Sequence, residues 1–111
     1  MVTKYEYTNR VEYRDENGVL HREDGPALIY NNGEENWYKR GRLHRENGLP
    51  AIIKKEYKLY MVNGRRHNEY GPGYENIDGT VWWYLNNIKY IEEEQYQKEL
   101  IKLKLKRLVD L

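Results

Sequence analysis

Gly18-Val19-Leu20-His21-Arg22-Glu23-Asp24-Gly25-Pro26-Ala27 is followed by Gly41-Arg42-Leu43-His44-Arg45-Glu46-Asn47-Gly48-Leu49-Pro50-Ala51, and then by Gly64-Arg65-Arg66-His67-Asn68-Glu69-Tyr70-Gly71-Pro72-Gly73. The three histidines stand 23 residues apart. A fixed period of this length marks a stacked-repeat architecture, in which each unit buries its apolar side against the next. Such chains work by presenting a surface rather than by enclosing a catalytic pocket.

Working outward, each copy carries the same punctuation. Asn17-Gly18, Arg40-Gly41, Asn63-Gly64 and Asn86-Asn87 are pairs that accept the positive φ of a type I′ hairpin turn. A second turn lies inside the repeats at Asn31-Asn32-Gly33 and at Asp78-Gly79. Gly25, Gly48 and Gly71 mark the bend before Pro26, Pro50 and Pro72, where proline fixes φ and offers no donor. Between turns, Ala27–Tyr30, Asn36–Tyr38, Ala51–Ile53, Tyr57–Val62 and Val81–Leu85 are rich in aromatic and β-branched residues and read as strands. Trp37, Tyr60 and Trp83 recur at the same period and predict an aromatic column between neighbouring hairpins. The second copy departs from its neighbours. Leu49 is inserted before Pro50 and the inner turn Lys54-Lys55-Glu56 lacks its glycine, which predicts a shifted bend.

The expected fold is mainly β: one domain, 1–111, built as an antiparallel hairpin-repeat meander with a C-terminal capping helix. Residues 1–17 read as a capping hairpin, 18–90 as three repeats and a final strand, and 91–109 as the helix. Glutamates at 92–94 and Lys106-Arg107 suit the two ends of a helix macrodipole. Tyr96, Leu100, Leu103 and Arg107 form one stripe, and Ile101, Leu105, Leu108 and Val109 the adjacent one, together a broad apolar face for docking. Ile101–Lys106 also alternates strictly, as a strand would.

The composition bounds the function. Nineteen Lys and Arg stand against 18 Asp and Glu, a net charge of +1. That is neither the basic excess of a duplex-DNA binder nor the acidic excess of a DNA mimic. There is no Cys, hence no disulfide and no thiolate metal site. There is also no Ser, so neither hydroxyl of a Ser triad nor a thiol serves as nucleophile. No P-loop or dinucleotide fingerprint occurs. Glu23/Asp24 and Glu34/Glu35 fall in predicted turns. The N-terminus lacks the apolar core of a secretory signal, and no stretch reaches the ~20 apolar residues of a membrane span. The expectation is a soluble, cytoplasmic, non-enzymatic chain without cofactor or membrane partner.

The pattern Gly-x-x-His-Arg-Glu-x-Gly-Pro-Ala, then a turn, then Trp-Tyr-x-x-Gly, resembles a short repeat of phage, prophage and giant-virus proteins that is similar to the MORN repeat. The resemblance covers Gly18 to Asn87, and Trp83–Glu94 looks like the usual ending of such arrays, a last hairpin running into a helix. Ile91 replaces the usual Thr before the Glu run, so the expected N-cap is missing. The resemblance implies a small interaction protein of a mobile element that acts in the host cytoplasm. Its partner would be a host protein, such as a CRISPR or other nucleic-acid-directed defence effector.

His21, His44 and His67 are expected to bond the neighbouring turn rather than gather a metal. Arg22, Arg45 and the glutamates Glu23, Glu46 and Glu69 are expected to form a cross-strand ladder. The candidate binding residues are Arg40, Arg42, Arg65 and Arg66 at turn ends, and Lys54, Lys55, Tyr57 and Tyr60 in the second repeat, because Tyr, Trp and Arg dominate binding hot spots. Two alternatives stand beside the protein-binding module. One is a single-stranded nucleic-acid binder using interleaved aromatics and cations. The other is a structural module, monomeric or a small homo-oligomer, that self-associates through a free sheet edge.

Overall fold

The computed structural model describes Met1–Asp110, and Leu111, the last residue of the expected single domain, lies outside the described residues. The chain is a slab of 45 × 39 × 17 Å. That thickness holds one sheet and little more, since packed layers are spaced ~10 Å apart.

The elements are β1 (Thr3–Glu6), β2 (Arg10–Arg14), β3 (Leu28–Tyr30), β4 (Glu35–Asn36), β5 (Tyr38–Lys39), β6 (Arg42–Leu43) and β7 (Ile52–Ile53). They continue with β8 (Tyr57–Leu59), β9 (Met61–Val62), β10 (Arg65–Arg66), β11 (Tyr74–Asn76), β12 (Val81–Leu85), β13 (Ile88–Tyr90) and α1 (Glu93–Val109). The main sheet runs β1-β2-β3-β4-β7-β8-β11-β12-β13, antiparallel throughout. Each repeat sends one long strand through the sheet and on into an outer hairpin. β4 passes through Trp37 into β5, which pairs with β6, and β8 passes through Tyr60 into β9, which pairs with β10. β12 makes the same passage unbroken, pairing Tyr74 with Trp82 in its first half and Leu85 with Ile88 in its second.

The outer turns have the expected chemistry. Arg40-Gly41, Asn63-Gly64 and Asn86-Asn87 all have positive φ at both residues, between 49° and 80°. Asn17-Gly18 differs, because only Gly18 is left-handed and its N–H bonds Asp15 O at 3.0 Å. His21 follows Tyr13 by eight positions, where His44 follows Trp37 by seven, so the first turn needs a longer loop.

The irregular second repeat resolves into two compensating changes. Asn47 and Gly48 take consecutive left-handed conformations, φ 64° and 71°, and absorb the extra residue before Pro50. The inner turn then closes with Lys54 N–H on Tyr57 O, three residues on, where the first repeat closes Tyr30 N–H on Glu34 O, four residues on. One residue gained and one lost leave His67 in step with His44. Of the paired carboxylates assigned to turns, Glu35 lies in β4.

Where neighbouring repeats come closest the sequence places its smallest residues. Ala27 and Ala51 are fully buried and Gly73 takes the third place. Their carbonyls accept from Tyr13, Trp37 and Tyr60 N–H respectively. A Cβ on Gly73 would lie 3.0 Å from Tyr84 Cβ and 3.3 Å from its backbone nitrogen, so even alanine crowds this site.

Ile101–Lys106 is helical, its alternation overridden by the docking of α1 on β12 and β13. The start, Glu92, caps without a side-chain bond, as Ile91 foretells. Only one of the two apolar stripes docks. Tyr96 and Leu100 are buried against Leu85, with Trp83, Tyr90 and Leu103 around them. Ile101, Leu105, Leu108 and Val109 stay exposed, which corrects the expectation of one broad docking face.

Candidate functional site

The repeated histidine organises each outer hairpin. His21 Nδ1 accepts from Arg40 N–H at 2.8 Å, His44 Nδ1 from Asn63 N–H at 2.9 Å, and His67 Nδ1 from Asn86 N–H at 2.9 Å. Each bond spans 19 residues and reaches the first residue of the next outer turn. An accepting Nδ1 places the ring proton on Nε2. That nitrogen faces the glutamate two residues on: Glu23 at 3.1 Å, Glu46 at 3.3 Å and Glu69 at 2.7 Å.

The expected Arg–Glu ladder is therefore replaced. Each glutamate faces its own histidine, Lys39 also reaches Glu23 and Glu46 at 3.6 and 3.7 Å, and Arg22 and Arg45 lie on aromatic rings. Arg22 Cζ sits 3.9 Å from the Tyr13 ring centroid and Arg45 Cζ 3.6 Å from that of Trp37. Both also donate to the bend, Arg22 to Pro26 O and Arg45 to Pro50 O, and Asn68 donates likewise to Pro72 O. A Cβ on Gly25 would lie 2.7 Å from Arg22 Cζ, so a side chain there would displace the guanidinium from its place.

The aromatic column is also different from that expected. Among the described residues, Trp37, Tyr60 and Trp83 do not stack on one another. Trp37 meets Arg45, the Tyr60 hydroxyl donates to Glu75 Oε1, and Trp83 packs on Tyr96 of α1 at 6.2 Å. Burial first, and that bond second, raise the Tyr60 hydroxyl well above its ordinary value. The stack that does form crosses β8, β11 and β12. Tyr57 lies 5.6 Å from Tyr74, and Tyr74 lies 4.7 Å from Trp82, with Lys54 over the first ring and Lys89 over the last.

A basin of about 640 Å³ opens between the outer hairpins and the C-terminal end of α1. β6 supplies Arg42, the loop after it Arg45, β10 Arg65, the loop before β11 Tyr70, and α1 Arg107. Among the described residues Glu69 is the one carboxylate in the lining. Arg107 grips it with both nitrogens, Nη1 at 2.6 Å on Oε1, and His67 bonds it from the other side. Arg107 first, and His67 after it, hold the Glu69 carboxyl at about 2, below the usual carboxylate range. Arg42, Arg45 and Arg65 have no ion-pair partner among the described residues.

Of the binding residues expected from sequence, Arg42, Arg65 and Tyr60 meet in this basin. Arg40 lies elsewhere, in a hollow with Met1, Asp15 and Glu23. Arg66 points to Tyr84, 5.9 Å from its ring centroid. Lys54, Lys55 and Tyr57 line a separate hollow of about 260 Å³ at the inner turns, with Glu56 and Glu75 among its walls. Sequence reading missed Arg45, Tyr70 and Arg107 as partners in one concavity. The signal for Arg107 was its place on the docking stripe of α1; nothing local marked Tyr70.

Among the described residues, no three His, Asp or Glu side chains gather as a metal cluster, and no helix is long and apolar enough to cross a membrane. No family model, curated protein or solved structure matches this chain.

Proposed function

We propose that this chain is a non-enzymatic binding module that docks on a partner protein through the uncovered half of α1. The carrying observation is the stripe Ile101, Leu105 and Leu108, exposed by 57%, 56% and 66%, on a helix whose other stripe is already buried. An exposed apolar patch with a polar rim marks an interaction surface. Lys98, Lys102 and Lys104 flank the stripe, the first paired with Glu94 and the second with Glu99, so the matching partner has an apolar groove with a mixed-charge edge. The missing Ser and Cys support the non-enzymatic side of the reading. The repeat resemblance supports the choice of partner, a host protein such as a nucleic-acid-directed defence effector in the cytoplasm, which the module would occlude.

The test is a tagged pull-down from bacterial lysate, with and without nuclease, comparing the native chain with Ile101→Glu/Leu105→Glu. One stoichiometric protein retained after nuclease, and lost with the double variant, is the expected result. Partners that vanish with nuclease, or that ignore the variant, overturn it.

One observation favours a second reading, single-stranded nucleic-acid binding: the Tyr57-Tyr74-Trp82 stack with a lysine at each end. Stacked aromatics beside cations are the usual platform for unpaired bases. Under that reading Tyr57→Ala weakens oligonucleotide binding and raised salt abolishes it.

A further inference from the structure

We infer that the basin lined by Arg42, Arg45, Arg65 and Tyr70 is a binding site for a nucleoside phosphate. Its volume of about 640 Å³ suits a small molecule and is generous for a lone oxyanion. Among the described residues four arginines and one carboxylate line it, and that carboxylate is already gripped by Arg107 and His67. The forks of Arg42 and Arg65 are left over, and a planar fork matches phosphate oxygens two at a time. Arg45 stands at the rim shared with the adjoining hollow, its guanidinium lying over Trp37 and bonded to Pro50 O at 3.1 Å.

Tyr70 supplies the second half of the recognition. It is 77% exposed, on a pinned backbone. Its N–H donates to Asn68 Oδ1 at 3.0 Å. Its ring base lies so close to Gly48 that a Cβ there would stand 2.8 Å from Tyr70 Cβ and 2.9 Å from Cγ. A held, exposed aromatic ring beside unpaired guanidiniums fits a ligand that is planar at one end and anionic at the other. A long polyanion is a poorer match, because the net charge is +1 and the lysines of the inner turns line a different hollow.

Isothermal titration of the full chain with ATP, AMP, inorganic tripolyphosphate, a polyglutamate peptide and a single-stranded oligonucleotide tests the site. Arg42, Arg65 and Tyr70 are exposed, so their variants are checked for an unchanged melting temperature and then titrated. ATP is expected to bind about tenfold more tightly than tripolyphosphate, the usual size of one base–aromatic stack. Tyr70→Ala should erase that margin and leave tripolyphosphate binding intact. Arg42→Ala/Arg65→Ala should weaken both by at least about tenfold. Leu105→Glu should leave ATP binding unchanged, which separates this site from the helix surface. Equal binding of ATP and tripolyphosphate, indifferent to Tyr70→Ala, overturns the proposal in favour of an unspecific anion sink. Tighter binding of polyglutamate, or affinity that climbs with oligonucleotide length, overturns it in favour of a macromolecule, and no binding of ATP overturns it outright.

Discussion

A single imidazole does two jobs in each repeat, and His67 does both from a buried position. It satisfies Asn86 N–H in a turn whose two left-handed residues leave that donor facing inward, and it orients Glu69. His67→Ala strands the Asn86 donor and is expected to cost about 1–3 kcal/mol in urea unfolding. His67→Asn keeps an acceptor near the Nδ1 position and should recover most of that loss, which a purely space-filling histidine would not allow. The glycines of the three bends make a second test, because equal spacing conceals unequal demands. Gly48 has φ 71° and lies against Tyr70, whereas Gly71 has ordinary φ and open space within 4 Å. Gly48→Ala is expected to cost about 1–2 kcal/mol, from left-handed strain and the Tyr70 contact. Gly71→Ala should stay within about 0.5 kcal/mol of the native chain. Equal effects at the two positions would show that the bends, not the contacts, set the requirement.

At the scale of elements, α1 is held by three different forces: the burial of Tyr96 and Leu100, the bond from Tyr96 Oη to Asn68 O at 2.7 Å, and the Arg107–Glu69 pair. The pair gives the docking a pH dependence. Glu69 titrates at about 2 in the folded chain against an ordinary value of 4.5. Its contribution is complete above about 4.5 and disappears as pH falls toward 2. The melting temperature of the native chain should exceed that of Glu69→Gln down to about pH 5, and the two curves should converge below it. A margin that survives at pH 2 would place the stabilisation elsewhere. This element also shows where sequence reading stops. The helix was legible from its charged ends and its length. Which stripe would dock was not, because the two differ only by rotation about the axis. That choice is made by Asn68 O and Glu69, which lie 28 and 38 residues away from their partners on α1. The outer turns, by contrast, were legible because two left-handed residues demand local chemistry. The basin was half legible: Arg42 and Arg65 stand at turn ends, but Arg45, Tyr70 and Arg107 meet only once the repeat and the helix are in place.

The whole molecule is quasi-one-dimensional, and its two ends differ. A slab 17 Å thick has no deep centre, so each repeat is stabilised mainly by its neighbours. At one end α1 covers β12 and β13. At the other, every residue of β1 is exposed and β2 is its one strand partner. The unpaired edge carries the Lys4–Glu6 ion pair, and edge charges of this kind discourage pairing with a second sheet. Stability should therefore fall along the row of strands from the helix towards β1. In native-state hydrogen exchange the amides of β1 should exchange first and those of β12 last. Deleting residues 91–111 uncovers Leu85 and Trp83 and reverses the gradient at that end, so that β12 and β13 lose protection while β2, β3 and β4 keep most of theirs. A simultaneous loss of protection across the sheet would mean that the repeats fold as one cooperative unit, with α1 as a keystone rather than an end cap.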